Sequence, residues 1–430
     1  MTVRRVLVFP AGTEIGLEIH QALKDCKEVE LFGAGQDISS HAPFVYEHYD
    51  VLPTIHEPDW HKQLATLCQT RKIDYIFPAY DDVIVALADL ADEIPATILT
   101  SPKETCRITR SKTLTYQSLA PIVRVPQLYA PDTTGPFPLF VKPDRGQGSQ
   151  GAVMVRNTGE LETALRAVKD PIVTEYLPGE EYTVDCFSDR ERGVLFCGAR
   201  IRLRMRNGIA VHTRLVDLPE AEEIARRIQS VLALRGGWFF QLKRASDGAL
   251  TLLEVAPRIA GSMSAHRIQG VNFPLLSIFE SERLPIRLMT LNLQVELDRA
   301  LHNRYRTNVR YRSLYIDLDD TLLLRDRINL DALKLVFSCI NRGVPVILIT
   351  RHAGDLTATL NRHHLGGVFD EVIHVTDGEC KSRFIRHEGA IYVDDSFSER
   401  QRVHATLGIP TFDCSMIEAL TNTLATETDS

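Results

Sequence analysis

Nothing in these 430 residues approaches the roughly 20 consecutive apolar positions that a membrane-spanning helix requires. CxxC pairs are missing too. The eight cysteines (Cys26, Cys68, Cys106, Cys186, Cys197, Cys339, Cys380 and Cys414) are scattered singly. That pattern argues against a zinc site or a disulfide frame and for reduced thiols in a cytoplasm. No charge excess stands out either: 49 Lys and Arg against 56 Asp and Glu leave a net charge of -7. A broad nucleic-acid or anionic-membrane surface is therefore not expected. The opening MTVRRVLVFPAG has a basic pair, but its apolar run is too short for a secretory signal and no cleavage site follows. Neither GxxxxGK[ST] nor an internal repeat occurs, and PAGTEIG offers GxxxG at Gly12 and Gly16 rather than GxGxxG. These absences describe a cytoplasmic protein.

What is present is the mix of a globular chain, 44% hydrophobic and 24% charged, and its length favours two to four domains. Up to about residue 104, short β-rich runs (VRRVLVFP, VELFGAG, IDYIFPAY) alternate with helical patterns. Such alternation implies a parallel α/β sheet covered on both faces. From 105 to about 300 the pattern changes to strands separated by glycine-rich turns, an antiparallel α+β region. LHNRYRTNVRYRS reads as a linker over 301–312, its Arg304, Arg306, Arg310 and Arg312 solvating the connection. A fresh α/β alternation follows from 313 to 430 (SLYIDLD, VPVILIT, EVIHVT, AIYVDD), and TNTLATETDS reads as a frayed tail.

YIDLDDTLLL crowds three carboxylates at the end of an apolar run. A carboxylate at the C-terminal end of a parallel strand faces the crevice where open α/β sheets bind ligands. Asp317 and Asp319, two apart, can turn toward one phosphate once the strand ends. Later strand ends supply matching parts: Thr350 a hydroxyl, Lys381 a cation, and Asp394 and Asp395 hard oxygen ligands suited to Mg2+. Any one of these alone is an ordinary cap or solvated turn. In order, DLDDT, LIT, Lys and VDD resemble the four motifs of the haloacid dehalogenase-like phosphatases (HAD-like). That resemblance implies Asp317 as the nucleophile that becomes an aspartyl-phosphate and Asp319 as general acid/base. It also implies Thr350 binding phosphate, Lys381 neutralising charge, and a Mg2+ site of Asp317, Asp319 and Asp394. The spacing leaves no room for a large inserted cap.

Upstream, FVKPDRGQGSQGAVMV is strand, lysine, glycine-rich turn, strand. Gly146, Gly148 and Gly151 let backbone approach phosphate oxygens, and Lys142 supplies charge. A β-hairpin turn uses the same glycines with no ligand. PIVTEYLPGEEYTVDCF, FFQLKR and LLEVAPR follow in order. With them, residues 1–300 resemble the ATP-grasp superfamily, closest to the carbamoyl-phosphate-synthetase-like ligases, and 1–104 resembles their preceding Rossmann-like α/β domain. By that resemblance Lys112 and Lys142 contact ATP phosphates, and the loop Arg145, Gly146, Gly148, Ser149, Gly151 folds over them. Glu175, Tyr176 and Leu177 form the adenine hinge and Glu181 holds ribose. Gln241 and Glu254 ligate Mg2+, and Arg258 stabilises the transferred phosphoryl group. LLEVAPR departs from the usual ExNPR in having Ala256 where a metal-ligating Asn is usual, which puts a second Mg2+ in doubt.

ARIRLRMRNG places Arg200, Arg202, Arg204 and Arg206 at period two on one face, either solvated or binding an anionic substrate or a nucleotide phosphate. His212 occupies the place of a substrate-proximal histidine, although a lone His is more often structural. The expected protein is bifunctional. One part would be an ADP-forming ligase joining a small carboxylate to an amine with ATP and Mg2+. The other would be a phosphatase acting on a phosphate ester. A homo-oligomer is left open. The rivals are a HAD-like domain serving only for docking or regulation, and a nucleotide-binding sensor without ligase turnover.

Overall fold

The run RRVLVF buries both of its faces. Val6 and Val8 join one hydrophobic cluster while Leu7 and Phe9 join another on the opposite side, as expected of a central parallel strand. This computed structural model describes all residues except 1–2, 39, 147, 149, 207, 302–304, 306, 377, 387 and 422–430. The chain divides into two compact units, Met1–Leu301 and His302–Ser430.

Unit 1 begins with a five-stranded parallel sheet: β1 (Arg4–Phe9), β2 (Val29–Gly35), β3 (His48–Val51), β4 (Tyr75–Pro78) and β5 (Thr97–Ile98), in the order β3-β2-β1-β4-β5. The helix Glu14–Leu23 starts on Thr13, whose hydroxyl accepts the Gly16 N–H at 3.0 Å. A Cβ on Gly16 would come 2.4 Å from the Ala11 carbonyl oxygen. That crowding accounts for the second glycine of PAGTEIG by packing alone.

Two antiparallel sheets follow in the same unit. The smaller holds β6 (Leu128–Tyr129), β7 (Leu139–Pro143), β8 (Val153–Val155) and β9 (Pro171–Glu175), in the order β6-β9-β7-β8. The larger holds β10 (Glu181–Asp189), β11 (Gly193–Arg206), β12 (Ile209–Val216), β13 (Gly236–Arg244), β14 (Leu250–Ala256) and β15 (Glu296–Asp298), in the order β14-β13-β10-β11-β12-β15. Period two divides the larger sheet cleanly. Tyr182, Val184, Cys186, Trp238, Phe240, Leu242 and Leu252 face the helix Glu220–Val231 in one apolar cluster. Glu181, Thr183, Gln241, Lys243 and Glu254 lie on the other face, paired across strands as Glu181 with Lys243, Thr183 with Gln241, and Gln241 with Glu254. In the smaller sheet, Leu139 and Val141 of β7 enter a core with Val155, Leu161 and Val173, so Phe140 and Lys142 point the other way. β12, β15 and the helices Thr158–Ala167 and Glu220–Val231 were not foreseen from the sequence.

Unit 2 carries β16 (Ser313–Ile316), a hairpin of β17 (Leu323–Leu324) and β18 (Arg327–Ile328), then β19 (Val346–Thr350), β20 (Glu371–His374), β21 (Ala390–Val393) and β22 (Thr411–Phe412). Its parallel sheet runs β20-β19-β16-β21-β22. Leu314, Ile316, Val346, Leu348, Ile391 and Val393 share one core, while Tyr315, Ile347, Ile349, Ala390 and Tyr392 share the other. That consistent alternation fixes the register, and with it which strand-end side chains meet. The two residues between β17 and β18, Arg325 and Asp326, both have positive φ (50° and 59°), the backbone a tight two-residue hairpin requires. Among the described part of the expected linker, Arg310 and Arg312 are exposed, and Arg304 and Arg306 lie outside the described residues. No helix among the described residues is long and apolar enough to cross a membrane. All eight thiols are free of disulfides.

Candidate functional site

In unit 1 the polar face of the larger sheet and the outward face of β7 and β9 enclose a cavity of about 150 Å³. Phe140, Lys142 and Thr174 line it from the small sheet, and Glu181, Arg202, Gln241, Lys243 and Glu254 from the large one. Glu175, Tyr176 and Leu177, the segment joining the two sheets, also line it, as do Lys112, Gly146 and Gly148. Sequence reasoning thus brought most of these side chains to one place. It did not find Phe140 or Lys243, and it named Arg202 only as one of four arginines that could bind an anion.

The cations of this cavity are constrained. Lys142 is 7% exposed and its ammonium donates to the Tyr116 hydroxyl at 2.8 Å, which in turn donates to the Leu253 carbonyl at 2.7 Å. Burial first, and then the neighbouring Lys112, pull the Lys142 amine down to about 7. Lys112 stands at the start of the helix Lys112–Leu119, capped by Ser111, and its ammonium reaches the carbonyls of Pro143, Asp144 and Gly146 at 3.2–3.4 Å. Burial lowers Lys112 as well. Two desolvated amines beside a glycine turn are poised for an anion.

Several expected residues stand elsewhere. Arg145 is exposed and, like Gly151, does not line the cavity, while Ser149 lies outside the described residues. Gln241 Oε1 accepts from Arg202 Nη1 at 2.8 Å, and Arg202 Nη1 also bonds Glu181. Neither Gln241 nor Glu181 is a free acceptor. Glu254 is different: its carboxylate takes no hydrogen bond or ion pair from the described residues. One unpaired carboxylate, with no donor at Ala256, fits one hard cation better than two.

Arg258 forms a two-point pair with Asp81, Nε to Oδ1 at 2.5 Å and Nη2 to Oδ2 at 3.2 Å. Both line a narrow throat with Lys112, Gly146, Glu254 and Ala256. Burial pushes the Asp81 carboxyl up, but Arg258, Arg110 and Lys112 more than reverse this and hold it below the usual carboxylate range. PAYDD carried the signal for this partner, at the start of the helix Asp81–Asp89.

The arginine stripe is not one face. The pairing of β11 with β12 slips between Arg202 and Arg204 and again before Met205. Arg200 is buried against Asp185 at 2.8 Å and 3.2 Å, Arg204 pairs with Asp298 on the surface, and Arg206 is exposed. His212 contacts Glu296 at 2.7 Å and does not line the cavity.

In unit 2 the ends of β16, β19 and β21 bring Asp317, Thr350 and Asp394 together, and Lys381 closes the group from a short 3-10 turn. Lys381 Nζ donates to Asp317 at 2.6 Å and to Asp394 at 2.7 Å, all three being buried. Tyr392 donates to Asp394, and the Ser396 N–H reaches the same carboxylate at 2.7 Å. Thr350 is fully buried and its hydroxyl accepts the His352 N–H at 3.2 Å. Burial, and then Asp394, raise the Asp317 carboxyl to about 7 against the pull of Lys381. Burial, Asp394 and Asp320 raise Asp395. Carboxylate oxygens of Asp317, Asp394 and Asp395 lie within 4.8 Å of one another. One lysine cannot neutralise three carboxylates, so the donor set suits a divalent cation. Asp319, expected among the ligands, is instead half-exposed and held by His352 Nδ1 at 3.0 Å, whose Nε2 meets Thr359 at 2.9 Å. Three residues past the strand end, its carboxylate is held by His352 outside the cluster, and Asp395 is the third carboxylate there.

Residues 167–295 match the family model described as ATP-grasp in the biosynthetic pathway with Ter operon. A D-alanine--D-alanine ligase of Fusobacterium nucleatum subsp. nucleatum is 28% identical over 149 residues, 31% of this chain and 50% of the relative. The chain therefore spans half the length of the curated relative it matches. The biotin carboxylase domain of Hydrogenobacter thermophilus 2-oxoglutarate carboxylase, solved with MgADP, ADP and bicarbonate, superposes with a TM-score of 0.57 at 16% identity, covering 67% of this chain and 71% of that one. N5-carboxyaminoimidazole synthetase of Staphylococcus aureus, complexed with ADP, gives 0.57 at 14% identity, over 67% and 81%. At these identities the structural likeness is one of fold. It agrees with the match over 167–295 in giving unit 1 an ATP-grasp fold.

Proposed function

We propose that unit 1 is an ADP-forming carboxylate–amine ligase that uses ATP and Mg2+, and that unit 2 is a Mg2+-dependent phosphatase of the HAD-like type. The observation that carries the first reading is the convergence of Lys112, Lys142 and Glu254 on one cavity beside the Glu175–Leu177 hinge. The ADP-bound state of the structural neighbours and the ligase activity in the name of the Fusobacterium relative support it.

The γ-phosphoryl group passes to a carboxylate oxygen, giving an acyl-phosphate and ADP. An amine then attacks the acyl carbon, expels inorganic phosphate and leaves an amide. Lys112 and Lys142 hold phosphate oxygens, the glycine turn brings backbone close, and Arg258, steadied by Asp81, faces the transferred group. Glu254 would hold Mg2+, which would supply charge cancellation on the phosphoryl group. The protein's part is positioning and fixed charge.

In unit 2, Asp317 attacks phosphorus and displaces the ester oxygen, which Asp319 protonates; water, deprotonated by Asp319, then releases phosphate from the aspartyl-phosphate. His352 holds Asp319, and Lys381 and Thr350 face the phosphoryl oxygens. Mg2+ at Asp317, Asp394 and Asp395 cancels the repulsion between nucleophile and phosphate.

Lys142→Ala should cut ADP formation, followed over a screen of carboxylate and amine pairs, by roughly 100- to 1000-fold, about 3–4 kcal/mol, while sparing ester hydrolysis. Unchanged ADP release would reject the ligase reading. Asp317→Asn should remove hydrolysis alone, and retained phosphate release would reject its nucleophilic role.

A further inference from the structure

Arg202 is the side chain of unit 1 whose hydrogen bonding is incomplete in an informative way. It sits on β11 where the strand slips in register, 7% exposed, and lines the cavity with Lys112, Lys142 and Glu254. Three acceptors fix the end of the guanidinium: Glu181, Gln241 at 2.8 Å and the Gly208 carbonyl at 3.0 Å. Its Nε–H is buried with no hydrogen-bond partner among the described residues. A buried donor without an acceptor is destabilising and is retained where something else supplies the acceptor.

The surroundings narrow what that acceptor is. Lys112, Lys142, Lys243 and Arg202 give four basic groups in the cavity against the carboxylates Glu175, Glu181 and Glu254. Glu175 turns toward the Gln127 N–H at 3.2 Å and Arg124 at 3.9 Å, and Glu181 is already bound to Arg202. With the Arg202–Glu181 pair set aside and Glu175 turned outward, Lys112, Lys243 and the partly neutral Lys142 face Glu254, so the cavity still presents surplus positive charge to an anion. Among the described residues, the only cluster of three metal-competent side chains lies in unit 2. Gln241, an obvious oxygen ligand, is taken by Arg202, and Ala256 has no donor.

We propose that Arg202 binds a phosphate oxygen of the nucleotide through its Nε–H and supplies, as a fixed protein charge, the neutralisation a second metal ion would give. This rests on the nucleotide reading of the cavity; of the four arginines that the sequence offered for an anion, it singles out Arg202, names its Nε–H as the donor and gives it the charge role of a metal ion. Glu181 and Gln241 become its orienting partners. An arginine fork held from three sides needs no reorganisation when the phosphates arrive.

Calorimetry with the full chain tests it, using adenosine, AMP and ADP as probes, each with Mg2+ and with EDTA. ADP binding by the wild type establishes the nucleotide site, and its failure overturns the functional reading rather than this one. Arg202→Lys keeps the charge opposite Glu181 but lacks the Nε–H. It should weaken AMP and ADP by about 10- to 100-fold, the range of a charge-assisted hydrogen bond, and leave adenosine within about twofold. Equal loss for adenosine, or no loss for ADP, overturns the proposal. Should the variant fail to melt cooperatively, the wild type still decides: ADP should lose less than about tenfold in EDTA, because protein cations hold the phosphates. A larger loss would mean that the metal does so.

Discussion

At the scale of single residues, the most testable feature is the lowered amine of Lys142. Its folded value, about 7, lies below the ordinary lysine value because burial outweighs Glu254 and Glu181. Where the unfolded chain binds more protons, stability rises with pH. The nucleotide-free protein should therefore gain stability from pH 7 toward pH 10, on the order of a few kcal/mol in all, and Lys142→Met should flatten that slope. Phosphate beside the amine favours its charged form, so ADP binding at pH 8 should take up close to one proton. Calorimetry in buffers of different ionisation enthalpy reads this directly, and zero uptake would show that Lys142 does not meet the phosphates. Asp317 and Asp394 were legible from sequence because each directly follows an apolar strand, and strand ends converge by topology; Lys381, expected at a strand end, stands instead on a 3-10 turn seven residues beyond β20. Arg202 was legible only as one of four candidate arginines, because which of them enters the cavity depends on a slip in strand pairing that no local pattern announces. Asp81 was not, because its partner Arg258 lies 177 residues away.

At the scale of elements, alternation carried most of the information. The strands β1, β16, β19 and β21 announce themselves as apolar runs because both of their faces are buried. β12 and β15 do not, since β12 mixes charge with apolar residues and β15 is three residues long. Caps give a second kind of local signal. Asn329 starts the helix Leu330–Asn341 by accepting from Asp331 and Ala332, and its amide also donates at 3.0 Å to the carbonyl of Thr321, the last residue of DLDDT. Asn329→Ala should cost about 1 kcal/mol, seen as a lower unfolding midpoint for unit 2 in denaturant. A larger cost would mean that the Thr321 contact also holds the turn.

At the scale of the whole molecule, two units each place a parallel sheet of the same strand order, with the neighbours of the central strand fixing where side chains converge. The proposed chemistries are separate, and so should be their kinetics. Lys142→Ala is expected to leave the rate of ester hydrolysis within about twofold, and Asp317→Asn to leave ADP formation equally unaffected, since no residue serves both sites. A drop of tenfold in either cross-measurement would show that the two reactions share a step.

The imbalance of three carboxylates and one lysine in unit 2 has a thermal counterpart. With the ion absent, like charges strain the native state against itself; with the ion bound, they hold it together. Magnesium at about a hundred times its dissociation constant should stabilise this unit by about 2.7 kcal/mol. Asp395→Asn should invert the pattern, melting later than wild type in EDTA and gaining less from added magnesium. An enzyme crippled for turnover would then be the hardier protein in chelator, the mark of a fold that tolerates internal discord for the sake of its ligand.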